Sequence, residues 1–533
     1  MRALRPFRLG SGADDEGMVL VGVMGAMMVL SAFALATLGY ALQNSQPNRK
    51  DQDAKAAVAA AQAGIDDYLS RLNSDPSYYT FTDSTNVAFT SGKPASGTVG
   101  QGATFKYSVL SSVATTVSQG YIRIKSTGTM NGVTRTLSAR LNPNGFLQYI
   151  YHTDKEDQDP VLYSGGSATI EAKCNQYYYY SSATKPGRSS YSPDPCREIQ
   201  FTTGDTINGP MHTNDAMQIN GSILFTSPKT ETSWVTAQTN KWWGSGTPST
   251  SGYKPVYAAP VQIPPSNASL LANATTAGCV YSGASKITFT SDGKMTVLSP
   301  NTTASSTCYP AGANKATPVV GITIPPVMYV QDFSGTCAKN SSGVTITLGY
   351  PLSGELPTTD ASYTGPDYSC NKGTAYVSGT LNGTSTIGSA QDIVVVSNLL
   401  YNDKSTTSDD LLGLVPTHFM WIYHPVNTSD ANMLSTPVTE VDAAILAVSD
   451  SFIVQNYNLG APISSGSTNK LTVFGAIAQN YRGPVGTGTT TAASTGYLKN
   501  YNYDTRFARG AQPPYFLQPV STQWTAGQIS DGN

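Results

Sequence analysis

Residues 18–42, MVLVGVMGAMMVLSAFALATLGYAL, form a run of 25 positions without a charge. That run constrains the rest of the chain more than any other feature. As a helix it spans roughly 37 Å, more than the ~30 Å hydrocarbon core of a bilayer. Lipid offers no water to backbone polar groups, so such a segment must satisfy its own hydrogen bonds as a helix. Gly22, Gly25 and Gly39 are small surfaces on which a second helix packs closely. The run exceeds the apolar core of about 7–15 residues in a cleaved secretory signal, although Gly39-Tyr40-Ala41 has the small-x-small form of a cleavage site.

The flanking charges do not orient the span. Arg2, Arg5 and Arg8 precede it; Arg49, Lys50 and Lys55 follow it. The cysteines do orient it. All six lie between Cys174 and Cys370, with no C-x-x-C and no zinc-type spacing. Their order suggests the local pairs Cys174–Cys196, Cys279–Cys308 and Cys337–Cys370, among the fifteen connectivities that six cysteines allow. Disulfides belong to oxidising compartments, so the large polar part is expected outside the cytoplasm, on a single-pass anchor in the cell membrane.

A second helical stretch, residues 51–72, places Val58, Ala61, Ile65, Tyr68, Leu69 and Leu72 on one face at helical spacing. Pro76 stops it, and Pro47 is expected to kink or break the join to the apolar run. Here the residues resemble a known family. Asp14-Asp15-Glu16-Gly17-Met18, followed at once by the apolar run, resembles the leader junction of type IV prepilins. Ala60 to Leu69 resembles the matching segment of PilX-type minor pilins. The resemblance implies that a prepilin peptidase cuts between Gly17 and Met18 and that the helix packs with other pilin-like subunits. Major pilins carry Glu at the fifth mature position; here that position is Gly22, which fits a minor or tip subunit. Segments 204–217, 411–426, 441–457, 475–486, 497–507 and 513–519 are similar to large bacterial surface proteins with PilX-like N-termini.

Composition sets the fold class of the remainder. Charged residues make up only 12%, while Gly (49), Pro (32) and Tyr (31) are plentiful. Such a chain favours strands and turns over helices. The expected fold is mainly β with a long N-terminal α-helix. It divides into a leader (1–17), the helix with its amphipathic extension (18–76), a small pilin-like β unit (77–144) and a large β-rich domain (145–533). In the small unit, Asn131-Gly132 marks a hairpin turn. In the large one, short apolar runs alternate with polar turns. Leu381, Ile387, Ile393 and Leu399 recur six apart, and Thr206-Ile207-Asn208-Gly209 echoes Gln218-Ile219-Asn220-Gly221. The pattern suits a parallel β-helix; no single period holds, so a β-sandwich with insertions stays open.

Chemistry-bearing motifs are sparse. A net charge of -2 with no basic stripe excludes nucleic acid as an expected partner. Of four histidines, His418 and His424 are six apart, which fits no zinc motif. His212-Thr213-Asn214-Asp215-Ala216 offers Asp215 and His212 as an acid–base pair, or simply turn chemistry and a polar ladder. Asp154, Glu156, Asp157 and Asp159 form the densest acidic stretch. It lacks regular calcium-loop spacing and is expected to be a solvated loop, with these four as weak calcium candidates. Trp234, Trp242, Trp243 and Tyr177 to Tyr180 are expected to pack over the β core; exposed, they would anchor a surface glycan or protein. No catalytic residue and no cofactor is expected. The reading is a membrane-anchored minor or tip subunit for adhesion or assembly. The alternatives are a polysaccharide-active β-helix enzyme or binding protein, and an uncleaved envelope scaffold.

Overall fold

A computed structural model describes residues 16–82, 86, 88, 95–100, 102–177, 181–182, 185–186, 195–202, 205–234, 248–303, 308–310, 315–357, 364–465, 468–488, 493–520 and 523–531. One helix runs from Glu16 to Ser74, 59 residues in all. It passes through Pro47, so the expected break there does not occur. The helix has two environments. Leu20–Gly39, with mean hydropathy 2.1, is bare, and among the described residues nothing beyond the helix's own adjacent backbone comes within 4 Å of where a Cβ on Gly22, Gly25 or Gly39 would sit. Further on, Ala57, Ala60, Ala61, Ile65, Tyr68 and Leu72 are fully buried.

Of the six residues expected on that face, Val58 falls off it, Leu69 is half-buried against the same core, and Ala57 and Ala60 join it. Val58 is 39% exposed. Small residues decide the contact instead. A Cβ on Gly128 would lie 2.0 Å from the Ala57 carbonyl oxygen, and one on Gly64 would lie 2.3 Å from Ser126 Oγ. The helix therefore sits close on its sheet, because glycine leaves the backbones room to approach. The alanines make the contact and Val58 turns outward.

The sheet is antiparallel, in the order Ala95–Val99, Ala103–Val109, Ile122–Met130, Val133–Pro143, Trp524–Asp531. Asn131 (φ 48°) and Gly132 (φ 80°) make the two-residue turn of its central hairpin. The fifth strand corrects the expected domain boundary, since residues 524–531 belong to the small sheet. Asn73 seals this closure. Its amide donates to Trp524 O (3.1 Å) and accepts from Trp524 N (2.6 Å).

The large domain is mainly β, with mixed sheets. Its hydrogen-bonded path closes on itself. Parallel pairs stack in columns. In one, Cys279, Met328, Ile387, Leu414, Ile445, Ile477, Tyr151 and Met211 follow each other in register. In another, Ser285, Ala375, Ile393, Met420 and Phe452 do the same. In a third, Phe289, Gly379, Leu399, Val441, Val473 and Tyr501 are stacked. Antiparallel pairing inside this network joins Ser285–Thr290, Lys294–Leu298 and Val319–Thr323. The inward side chains form one apolar core that includes Leu381, Ile387, Ile393 and Leu399. The echoing segments do not stack on each other; Ile207 pairs with Phe225 and Ile219 with Phe201. Close stacking needs glycine at Gly475 (φ +154°), where a Cβ would lie 2.0 Å from Ala443 O.

Disulfides join Cys174–Cys196, Cys279–Cys308 and Cys337–Cys370. They close excursions from the columns, which shortens the loops available to the unfolded chain.

The chain does not climb this stack in order. Tyr151–Lys155 pairs with Leu471–Tyr481 on one side and Met211–Thr213 on the other. The strands then lead outward through Thr230–Thr232 to Val256–Tyr257. Residues 258–278 cross back to the far end, where Cys279 begins the return. Asn267 pins that crossover. Its Nδ2 donates to Ser389 O (2.9 Å) and Val415 O (2.8 Å), while its Oδ1 accepts from Tyr329 Oη (3.0 Å) and Thr417 Oγ1 (3.1 Å). Asn267 is 2% exposed. Replacing it with leucine removes these four bonds, although Ser389 O keeps Thr417 N (3.1 Å) and Thr417 Oγ1 (3.0 Å); each lost bond is worth about 0.5–1.5 kcal/mol net. Asn267→Leu should lower unfolding free energy by about 3 kcal/mol in urea titration.

Candidate functional site

The acidic stretch is not a solvated loop. Tyr151–Lys155 is a buried strand, and Glu156, Asp157 and Asp159 are fully buried. The physical reason is its place in the stack, between two neighbouring strands. The four carboxylates also diverge. Asp154 pairs with Lys155 (2.6 Å) and accepts from Asn214 Nδ2 (2.7 Å) and Tyr177 Oη (3.0 Å). Glu156 faces Arg482 Nη1 (3.3 Å). Asp159 turns to Asp450. Among the described residues, no group of three or more His, Cys, Asp or Glu side chains is placed to hold a metal ion.

Asp159 and Asp450 form a centre the sequence did not suggest. Their carboxyl groups are within hydrogen-bonding reach, and two carboxylates repel unless one holds a proton. Burial, followed by the charge of Asp450, pushes Asp159 up to about 9. A single proton shared by the two carboxyls relieves the repulsion. His418 Nδ1 lies 2.7 Å from Asp450 Oδ2, and this bond raises the His418 pKa above its ordinary value. Nearby, Asp392 accepts from Phe419 N (3.0 Å) and Trp421 Nε1 (3.1 Å); burial pushes it up to about 6. Asp392 and Asp450 each stand just before a strand of the second column, and His418 precedes the strand between them. Parallel stacking brings together residues far apart in sequence.

His152 and His212 sit on one rung pair, in register with each other and with Glu231. Their rings stack at 5.4 Å. His212 Nε2 is 2.9 Å from Asn214 Oδ1, and Nδ1 is 3.3 Å from Glu231 Oε2. Asp215 is spent on backbone, accepting from Ala216 N (2.7 Å) and Glu156 N (3.3 Å). His212 and Asp215 are thus both committed to structural bonds. His424 is also tied, with Nδ1 3.0 Å from Gln455 O and Nε2 2.9 Å from Asn432 Oδ1. Trp234 is buried at 6% exposure. Trp242, Trp243 and Tyr178 to Tyr180 lie outside the described residues.

His152 is fully buried; its ring faces the Val261 backbone carbonyl and has no other hydrogen-bond partner among the described residues. Burial, then its neighbour His212, lowers it to about 3. The folded protein therefore rejects the cation that the unfolded chain accepts near pH 6.5. Stability from this group is complete above about pH 6.5 and is lost as pH falls toward 3. His152→Phe keeps a ring of similar size and removes the titration. It should reduce the loss of melting temperature between pH 6.5 and 4, read by thermal unfolding across that range.

No family model matches the chain, and no curated protein matches it. Among solved structures, the competence-associated pilin ComZ from Thermus thermophilus aligns over 89% of this chain and 98% of that chain, at 11% identity and a TM-score of 0.21. Wide coverage and low TM-score disagree. The TM-score measures shared geometry, and at this value the likeness carries no argument.

Proposed function

We propose that this chain is a membrane-anchored, pilin-like surface subunit of the minor or tip kind. One observation carries the reading. A single helix is bare and apolar over Leu20–Gly39, yet packs one face on a small antiparallel sheet from Ala57 to Leu72. A bare apolar rod is unstable in water and stable in lipid or in a bundle of like helices. Gly22, Gly25 and Gly39 supply its close-packing surface for neighbouring subunits. Gly17 and Met18 lie in the first turn of the helix and form the bond that a prepilin peptidase would cut.

The large domain is read as a parallel β-helix built from the three columns and displayed outside the cytoplasm. The disulfides support that side of the membrane. We read it as a scaffold for adhesion or assembly rather than an enzyme. Asp159 is fully buried and Asp450 is 6% exposed, so the one carboxyl pair with catalytic character is closed to a polymer substrate.

Cell fractionation tests the anchor. Leu30→Glu with Leu35→Glu places two charges mid-span, at about 2.5–3.5 kcal/mol each. This variant should leave the membrane fraction, while the wild type stays in it. Membrane release of the wild type by carbonate washing would end the anchor reading. Mass spectrometry of the mature protein should find Met18 at the N-terminus; Met1 there would end the prepilin reading and spare the anchor.

A further inference from the structure

Arg482 is 1% exposed, and its Nη2 has no hydrogen-bond partner. Its Nη1 is occupied, donating to Ile199 O (3.0 Å) and facing Glu156 Oε2 (3.3 Å). Its guanidinium lies 3.5 Å over the Phe201 ring. An orphaned guanidinium N–H in an apolar interior is costly unless something accepts it.

Beside it is an enclosed cavity of about 10 Å³. That is room for about one water-sized particle. Its walls are mostly apolar, including Tyr151, Phe201, Phe452 and Ile477. Among the described residues, Arg482 and Lys499 are the charged wall residues, Gln479 adds an amide whose Nε2 already donates to Tyr151 Oη (3.4 Å) and Thr153 Oγ1 (3.5 Å), and no carboxylate lines it. Glu156 and Asp205 lie near enough to act on Lys499 through space, behind the wall. The Lys499 ammonium is 5.6 Å from the Phe201 ring centroid, so both cations lie near the same ring.

The cavity stands at the seam of the stack. Tyr151 belongs to the strand where the large domain begins, and Gln479 belongs to the paired strand from near the chain's end. Lys499 comes from the next rung, opposite Leu471. Lys499 also lines an open groove of about 490 Å³ on the outside, so this one side chain borders both the cavity and the groove.

We propose that this cavity is a binding site for one small monovalent anion of the halide class, held between Arg482 and Lys499. A halide accepts hydrogen bonds without donating any, which matches the unpartnered Nη2 of Arg482 and the nearby Lys499 ammonium. A water would satisfy Arg482 Nη2 but would bring no negative charge to Lys499, which Arg482 repels more than either Asp205 or Glu156 attracts it. Burial, then the charge of Arg482, lowers Lys499 to about 8, the strain that an anion relieves. Bound at the seam, the anion ties the first rung to the last ones and stabilises the fold by mass action.

The test is thermal unfolding of the full chain in detergent, followed by tryptophan fluorescence. Sodium chloride, sodium bromide and sodium gluconate are compared at equal ionic strength. Melting temperature should rise with chloride or bromide by about 3 °C, saturably, and stay flat in gluconate. Equal melting temperatures in chloride and gluconate would overturn the proposal. Lys499→Met should remove the halide response; a response that survives would place the site elsewhere and overturn it too. If that variant fails to fold, crystals of the wild type soaked in bromide decide the matter. An anomalous peak between Arg482 and Lys499 is expected, and its absence refutes the site.

Discussion

Everything in the large domain depends on one parallel pairing, Tyr151–Lys155 against Leu471–Tyr481. The first strand of the domain is laid in the middle of the stack. From there the chain builds outward, crosses to the far end, and returns to meet its own start. Residues some 320 positions apart must find each other before the core is complete. Such long-range contacts cost loop entropy before they return any hydrogen bonds. The crossover is the other half of this arrangement, and Asn267 holds it with four side-chain hydrogen bonds.

The small sheet repeats the logic at the other end. The N-terminal helix lies on it, and the C-terminal strand Trp524–Asp531 completes it. Asn73 and Trp524 bond reciprocally across the helix end. The amphipathic part of the helix and the strand Trp524–Asp531 are thereby fixed to one unit, and the bare part of the helix projects from it.

Buried polar groups mark the rungs. Glu156 with Arg482, Asp504 with Arg506, and Asp159 with Asp450 are all nearly closed to solvent. Buried ion pairs such as Glu156 with Arg482 seldom add much stability over apolar packing. Glu156 and Arg482 come from distant parts of the chain, and the use we infer for that pair is register. A strand slipped by one position would bury a charge with no partner, so wrong stackings are penalised more heavily than in an all-apolar column.

The apolar helix, the Asn131-Gly132 hairpin and the mainly β class were legible because each is a local rule. Lipid solubility, turn stereochemistry and strand propensity act over a few residues. The helix face was legible except at Val58, because periodicity says which side is apolar but not how closely Gly128 lets the sheet approach. The stack hid its period, since Ala375, Ile393, Met420 and Phe452 are unequally spaced along the chain. The acidic stretch read as a surface loop because composition cannot register neighbours. Only tertiary structure set Asp159 against Asp450 and left Arg482 facing a cavity. The sequence by itself determined what each segment prefers; the tertiary structure decided which segments share a rung, because parallel pairing joins residues that have no local means of finding one another.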